Sequence, residues 1–185
     1  MQKKLKPGIV NYPMPIALIG TNSQGKDNFM TDAWFSMVSH TPPMIAVTIG
    51  KKLSSDTIRE TGVFSICIPS SKDMVKTDYC GMANGDSSDK AYLFTVFKGE
   101  TGAPMIEECG INVECRLNHI DTNGMNETFV GDIINIYVDE EKLTDGKVDF
   151  QKLSPLILSQ MDAKYYTLSD VAGKAWSDGR KLIQK

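Results

Sequence analysis

Hydrophobic and polar residues in this chain alternate in short runs far more often than they repeat at helical spacing. Met14 to Thr21, with Ala17, Leu18 and Ile19 at its centre, predicts a strand. Ser23-Gln24-Gly25-Lys26-Asp27-Asn28 is turn chemistry, and Phe29 to Val38 predicts a second strand that pairs with the first as a hairpin. Met44 to Ile49 is nearly all apolar and reads as a short strand buried on both faces. Thr57-Ile58-Arg59-Glu60 has the capping-box pattern, which ties Thr57 to the first turn of a short helix that Gly62 stops. Val63 to Pro69 is strand again. Ser70-Ser71 can cap a further helix through about Tyr79, and Asp89 to Phe97 reads as helical. In the second half Ile111, Val113, Cys115 and Leu117 alternate with Asn112, Glu114, Arg116 and Asn118, the pattern of a half-buried antiparallel strand. Phe129 to Val138 is another, and Asp145-Gly146 turns the chain. Strands outnumber helices, and the helices cluster mid-chain. The expected fold is mainly β with peripheral α: a closed or partly closed antiparallel barrel.

The 185 residues suffice for one domain, 1–185, with a real core; a chain of this size buries roughly 70% of its unfolded surface. A net charge of −3 argues against nucleic acid as a partner, which calls for a basic stripe. Lys3, Lys4 and Lys6 precede no apolar run, so neither a signal peptide nor a membrane span is expected. Cys67, Cys80, Cys109 and Cys115 are scattered, with no Cys-x-x-Cys and only two histidines beside them. A zinc site is therefore not expected, and the default reading is reduced cytoplasmic thiols. Cys109 and Cys115, six apart on an extended segment, are about 20 Å from one another and cannot bond without a bend. His40 and His119 lack an evident acid–base partner.

Gly20-Thr21-Asn22-Ser23-Gln24-Gly25-Lys26 has the spacing of a phosphate loop, but Asp27 stands where a magnesium-binding hydroxyl belongs and a strand follows. It reads as a hairpin turn. Lys51-Lys52-Leu53-Ser54-Ser55-Asp56-Thr57 gathers cations and hydroxyls at a helix start, where free N–H groups and the helix dipole favour an anion. Asp56 counts against this unless it points away. An ordinary capped surface helix explains the same residues, and on these residues alone both readings stand. Upstream, Asn28-Phe29-Met30-Thr31-Asp32-Ala33-Trp34 is an extended segment ending in Trp, followed by Val38-Ser39-His40-Thr41-Pro42-Pro43. An aromatic end and a phosphate end together make a shape that suits a flavin mononucleotide.

These segments resemble the flavin reductase-like family, in its flavoredoxin branch. Asn28-x-Met30-Thr31-x-x-Trp34 is similar to the family's strand beside the flavin ring, and Val38-Ser39-x-x-Pro42-Pro43 follows it in the same order. Thr57 through Gly62-Val63-Phe64 to Ile68-Pro69, Ile106-Glu107-Glu108-Cys109 with Glu114-Cys115, and Tyr166-x-Leu168 with Gly173-x-x-Trp176-x-x-Gly179 complete the likeness. The resemblance implies a Greek-key antiparallel split β-barrel that holds FMN non-covalently, in a homodimer with flavin near the interface. It implies phosphate contacts from Lys51, Lys52, Ser54, Ser55 and Thr57, with Lys90 as a further cation. It implies a ring lying along Asn28, Met30, Thr31, Asp32, Ala33 and Trp34, with Ser39, His40 and Tyr166 nearby. Two departures stand out: Cys67 replaces a common Asn, and Glu127, in Asn126-Glu127-Thr128-Phe129-Val130-Gly131, stands where dedicated NADH:flavin reductases often carry His. The expected function is an FMN-dependent oxidoreductase carrying electrons in the cytoplasm. Its donor is NAD(P)H or a reduced carrier protein, and slow direct use of NAD(P)H is expected because the His that handles the nicotinamide in dedicated reductases is missing around Glu127, where a carboxylate also repels an anionic dinucleotide. A flavin-storing or sensing module without turnover, a direct NAD(P)H:FMN reductase and a structural barrel with an empty pocket are the rival readings.

Overall fold

The computed structural model describes residues 1–10 and 12–183. Met14–Pro15 (β1) leads into Ala17–Ser23 (β2), which turns at Gln24 and Gly25 into Lys26–Asp32 (β3). Both turn residues have positive φ, 52° and 87°, the twist that suits a two-residue hairpin. The phosphate-loop spacing therefore marks a hairpin, as its context suggested. Phe35–His40 (β4) and Pro43–Gly50 (β5) form a second hairpin. The single strand expected from Phe29 to Val38 is thus two strands. The chain breaks at Ala33 and Trp34, where Asp32 Oδ1 accepts the Trp34 N–H at 3.2 Å and pairing passes from β2 to β5.

Helix α1 spans Leu53–Thr61 and begins before the Thr57 capping pattern. Ser55 closes its first turn instead: its hydroxyl donates to the Lys52 carbonyl at 2.7 Å and accepts the Lys52 N–H at 2.9 Å. Gly62 ends the helix with φ 70°, a conformation cheap only for glycine, and its N–H donates to the Ile58 carbonyl at 2.9 Å. Val63–Ile68 (β6) follows, then helix α2, Met74–Met82. The helix expected over Asp89–Phe97 shrinks to a 3₁₀ turn at Ala91–Leu93, after which Val96–Lys98 (β7) pairs with Pro104–Ile106 (β8). Thr95, Val96 and Phe97 are weak helix formers, and Phe94 packs edge-on against Phe29 with ring centroids 5.6 Å apart. The long hairpin Ile111–Asn123 (β9) and Asn126–Val138 (β10) comes next. Leu143–Thr144 (β11), Lys147–Val148 (β12), the short helix Phe150–Leu153 (α3), Ile157–Ser159 (β13) and Lys164–Tyr166 (β14) complete the order, with β13 between β1 and β14.

The seven-stranded antiparallel sheet runs β3-β2-β6-β9-β10-β5-β4. Were it flat, β3 and β5 would lie about 24 Å apart, five strand spacings. They instead approach within 8 Å between Cα atoms, so the sheet rolls into a split barrel. Ile19, Met30, Val47, Phe64, Cys115 and Phe129, drawn from six strands, fill its interior. On the outer face, Leu18, Phe29 and Cys67 pack against Cys80, Phe94, Met105, Ile106 and Cys109. This second layer corrects the half-buried reading of β9: Asn112 and Glu114 on its polar face are buried. Asn112 Nδ2 donates to the carbonyls of Ile106 and Cys109. Glu114 accepts bonds from the N–H groups of Glu100 and Thr101, from Asn135 and from the Tyr137 hydroxyl. Burial works against its charge, but these donors outweigh it and hold its carboxyl below the ordinary range. All four cysteines are free and buried; Cys109 lies before β9 in the outer layer, whereas Cys115 faces the barrel interior.

Candidate functional site

Strand β3 stands at one end of the sheet order, so one row of its main-chain N–H and C=O groups has no neighbouring strand of that sheet. Two cavities lie along it. The first, of about 320 Å³, is lined by Asn28 and Met30 of β3, by Lys51 to Ser54 at the start of α1, by Cys80 to Asp86 at the end of α2, and by Lys90. The first N–H groups of α1 have no intrahelical partner, and the positive end of its dipole lies here. Lys90 is 2% exposed, and its ammonium donates to the carbonyls of Cys80 and Ala83, each at 3.2 Å. Three N–H donors and two acceptors leave one donor over, among the described residues. Burial lowers the Lys90 pKa, Cys80 opposes the shift and the neighbouring Lys52 adds to it, as for a cation still lacking a counter-charge. Asp86 contributes one carboxylate to the same lining.

The walls are closely set. Asn28 Nδ2 donates to Ser54 Oγ at 3.1 Å, while its Oδ1 is buried with no donor. A Cβ on Gly85 would come within 2.9 Å of that same Oδ1, and one on Gly81 within 3.2 Å of the Thr31 Cβ. Thr31 Oγ1 in turn donates to the Thr77 carbonyl, fixing β3 to α2.

The second cavity, of about 290 Å³, continues along β3 past Thr31, Asp32, Ala33 and Trp34, and is closed by Thr48, Gly50, Asn126, Gln160 and Tyr165 among others. It holds no cation. Tyr165 donates its hydroxyl to Asp78 Oδ1 at 2.9 Å, and burial together with that carboxylate pushes its phenol up to about 12. Asp32 Oδ2 and Gln160 Oε1 are both buried without a donor. Burial pushes the Asp32 carboxyl up to about 6, against the pull of the Trp34 and Ala33 N–H groups.

Of the residues singled out in the sequence, Asn28, Met30, Lys51, Lys52, Ser54 and Lys90 meet at the first cavity, and Thr31, Asp32, Ala33 and Trp34 at the second. Asp56 is exposed and absent from the first cavity's lining, which removes the objection it raised. The Ser55 hydroxyl is spent on the helix cap, and Thr57 is buried beside a neighbouring hollow with Thr21 and Lys26. Ser39 and His40, at the end of β4, line neither cavity; His40 Nδ1 sits 3.0 Å from the Thr41 hydroxyl. Tyr166 borders a separate hollow with Tyr12 and Leu168, and its neighbour Tyr165 takes the place by the site. Glu127 also turns elsewhere: Arg59 Nη2 donates to it at 2.6 Å over the Phe129 ring, and its neighbour Asn126 lines the second cavity. The Glu127 carboxylate is paired with Arg59 and does not line the second cavity. Sequence reasoning missed the Gly81-to-Gly85 loop, Thr48, Asn126, Gln160 and Tyr165; the Gly81 and Gly85 pair around Asn84 was the available signal.

Among the described residues no cluster of His, Cys, Asp and Glu could hold a metal ion, and no helix is long and apolar enough to cross a membrane. The arrangement suits an elongated ligand with an anionic end at α1 and a planar, uncharged end at Trp34. The whole fold matches that of flavoredoxin from Methanosarcina acetivorans, with a TM-score of 0.95 and 41% identity over 99% of this chain and 100% of the other. Flavoredoxin of Desulfovibrio vulgaris (Miyazaki F) gives a TM-score of 0.91 and 33% identity over 97% of this chain and 100% of its own. An uncharacterized protein of Archaeoglobus fulgidus is 30% identical over 142 residues, 75% of this chain and 79% of its own length. Residues 9–168 match the flavin reductase like domain, and with that match spanning most of the sequence the chain belongs to the flavin reductase-like family.

Proposed function

We propose that residues 1–185 form one FMN-binding domain and that the protein is a flavin-dependent electron carrier of the flavoredoxin kind. The observation that carries this reading is the polarity of the β3 cleft: buried Lys90 with Lys51 and Lys52 around a helix start at one end, a cavity without cations framed by Trp34 at the other. The likeness to flavoredoxins over nearly the whole chain supports it. Bound flavin supplies the redox chemistry, accepting and releasing electrons at its ring. The spare ammonium donor of Lys90, the side chains of Lys51 and Lys52 and the free N–H groups of α1 fit a phosphate. The orphaned Asn28 Oδ1 fits a hydroxyl donor of the sugar-alcohol chain, and Gly81 and Gly85 leave the space a side chain would fill. Unpaired main-chain N–H groups on the β3 edge fit the ring carbonyls and favour the electron-rich reduced form.

Neither His nor a cation lines the Trp34 end to orient a dinucleotide. The reading therefore assigns electron supply to a reduced carrier protein, with NAD(P)H as a slow donor. Exposed Met37 and Val38 on the β4 edge, Leu5, Ile9 and Val10 in the N-terminal arm, and Trp176 near the C-terminus support a homodimer in which these apolar groups are covered. The free buried thiols fit a reducing, cytoplasmic compartment. Anaerobic stopped-flow reduction of the FMN-loaded protein tests the reading. Fast reduction by a reduced protein carrier, with NADH slower than roughly 10 per second, is expected. Efficient reduction by NADH makes the protein a direct reductase; no reduction by either makes it a storage or sensing module; failure to take up FMN overturns the reading. Sedimentation of the flavin-loaded protein as a monomer at micromolar concentration overturns the dimer.

A further inference from the structure

Among the described residues, the Trp34 end of the cleft holds one ionisable carboxyl, Asp32, with no cation beside it. Asp32 Oδ1 accepts the Trp34 N–H, but Oδ2 is buried and has no donor, and Gln160 Oε1 in the same cavity has none either. Among the described residues, the groups around Asp32 offer no compensating charge. Ala17 stands opposite it on β2, and β5 and β10 present Thr48, Gly50 and Asn126. From β14, Tyr165 gives its hydroxyl away to Asp78 on α2, and Lys164 lies 3.7 Å from Asp162. Glu127 on β10 is held by Arg59 of α1. Lys51, Lys52 and Lys90 line the other cavity. A carboxyl so placed is pushed up to about 6 by burial, into the range where a small change in nearby charge alters its protonation.

We propose that Asp32 is a proton-coupling residue: it takes up one proton from solvent when the ring bound beside it is reduced and returns it on reoxidation. The proposal rests on the FMN-binding reading above. Were a bound ring reduced by two electrons and one proton, it would carry one negative charge. That charge would lie in the cavity bearing the Asp32 carboxylate, where two anions repel strongly. Protonation of Asp32 relieves the repulsion. The full couple then consumes two electrons and two protons: one proton resides on the ring, the other on the carboxyl. No bond between Asp32 and the ring forms or breaks. Gln160 Oε1, buried without a donor in the lining of the same cavity, is the acceptor available to the new carboxyl O–H.

The reduction potential of the FMN-loaded protein, measured against pH from 5 to 8 for wild type and Asp32→Asn, tests this. In the wild type the slope corresponds to two protons per electron pair between the carboxyl's pKa in the oxidised and in the reduced protein; in Asp32→Asn it corresponds to one. Identical slopes in the two proteins overturn the proposal. A second measurement needs no substitution: carboxyl carbon NMR of wild-type protein, titrated oxidised and reduced. A higher Asp32 pKa in the reduced protein is expected, by at least one unit; an unchanged value overturns the proposal even if Asp32→Asn does not fold. Flavin bound with Asp32 indifferent to its redox state sinks this inference alone, whereas a protein that takes up no flavin sinks the functional reading beneath it as well.

Discussion

At the α1 end of the cleft, Lys51, Lys52 and the buried Lys90 surround the free N–H groups of a helix start, whereas at the Trp34 end, among the described residues, the ionisable groups lining the cavity are Asp32 and Tyr165, and no cation lines it. Both ends rest on one seven-residue strand, β3. The contrast is in how each end handles unmet hydrogen bonding. The α1 end is left with donors to spare, on Lys90 and the helix, beside one orphan acceptor, Asn28 Oδ1. The Trp34 end is left with acceptors, Asp32 Oδ2 and Gln160 Oε1. A ligand matching both must present acceptors with negative charge at one end and a donor at the other, which excludes a simple anion and a simple planar heterocycle alike.

The contrast is broken most severely by Lys90→Met. Methionine fills similar volume and removes a buried charge, but it leaves the Cys80 and Ala83 carbonyls without their donor, so the protein folds with stability lowered by about 1–3 kcal/mol. A charge-assisted bond to phosphate contributes roughly 1.5–3 kcal/mol. FMN affinity should therefore fall about 10- to 100-fold by titration calorimetry, while riboflavin affinity stays put. An equal loss for both ligands would remove Lys90 from the phosphate end.

Asp32→Asn acts at the other end and on the apo protein. The folded pKa of Asp32, about 6, lies above its ordinary 3.8, so the native state holds this proton more tightly than the unfolded state does. Its contribution to stability is fully present below the ordinary value and is lost as pH rises through the folded one. Near neutral pH the wild type thus carries a cost of up to about 3 kcal/mol. Asparagine removes that cost, so urea unfolding at pH 7 should show the variant more stable, and the difference should vanish near pH 4. A variant less stable than wild type at pH 7 contradicts the burial of an unpaired carboxylate.

The smallest effect belongs to Glu127. Its ion pair with Arg59 is partly exposed, so Glu127→Gln costs under about 1 kcal/mol, and less in high salt. Because Glu127 faces Arg59 and not the cavity, Glu127→His should leave both FMN affinity and the rate of reduction by NADH unchanged. A marked acceleration by His would mean that the β10 rim reaches the ring after all.

The cationic end was legible in the sequence because its parts are local: Lys51, Lys52 and Ser54 are consecutive or nearly so, and a helix start announces itself. Asp56 was a fair objection that only the helix phase could answer. The acidic end was half legible. Thr31 to Trp34 could be read as one strand segment, but Asn126 comes from β10 and Gln160 and Tyr165 from the distant β13–β14 hairpin, which packs through short pairings no periodicity reveals. Tyr166 borders a separate hollow while Tyr165 lines the second cavity, because in a three-residue strand the facing side is set by tertiary packing. The polar positions of β9 misled in the opposite direction. Asn112 and Glu114 look solvent-facing by alternation, yet the 94–109 segment covers them and supplies their partners. Asp89 to Phe97 failed as a helix because a buried Phe94 and β-formers beside it outweighed the local pattern.

The most direct test of a cleft with a phosphate end and a ring end is a fluorescence titration of the apo protein with FMN and with riboflavin, which share the ring and differ in the phosphate. The account predicts that FMN binds at least about tenfold more tightly, with the preference shrinking as salt screens the exposed Lys51 and Lys52 and persisting in part through buried Lys90. Equal affinity for the two ligands would contradict it.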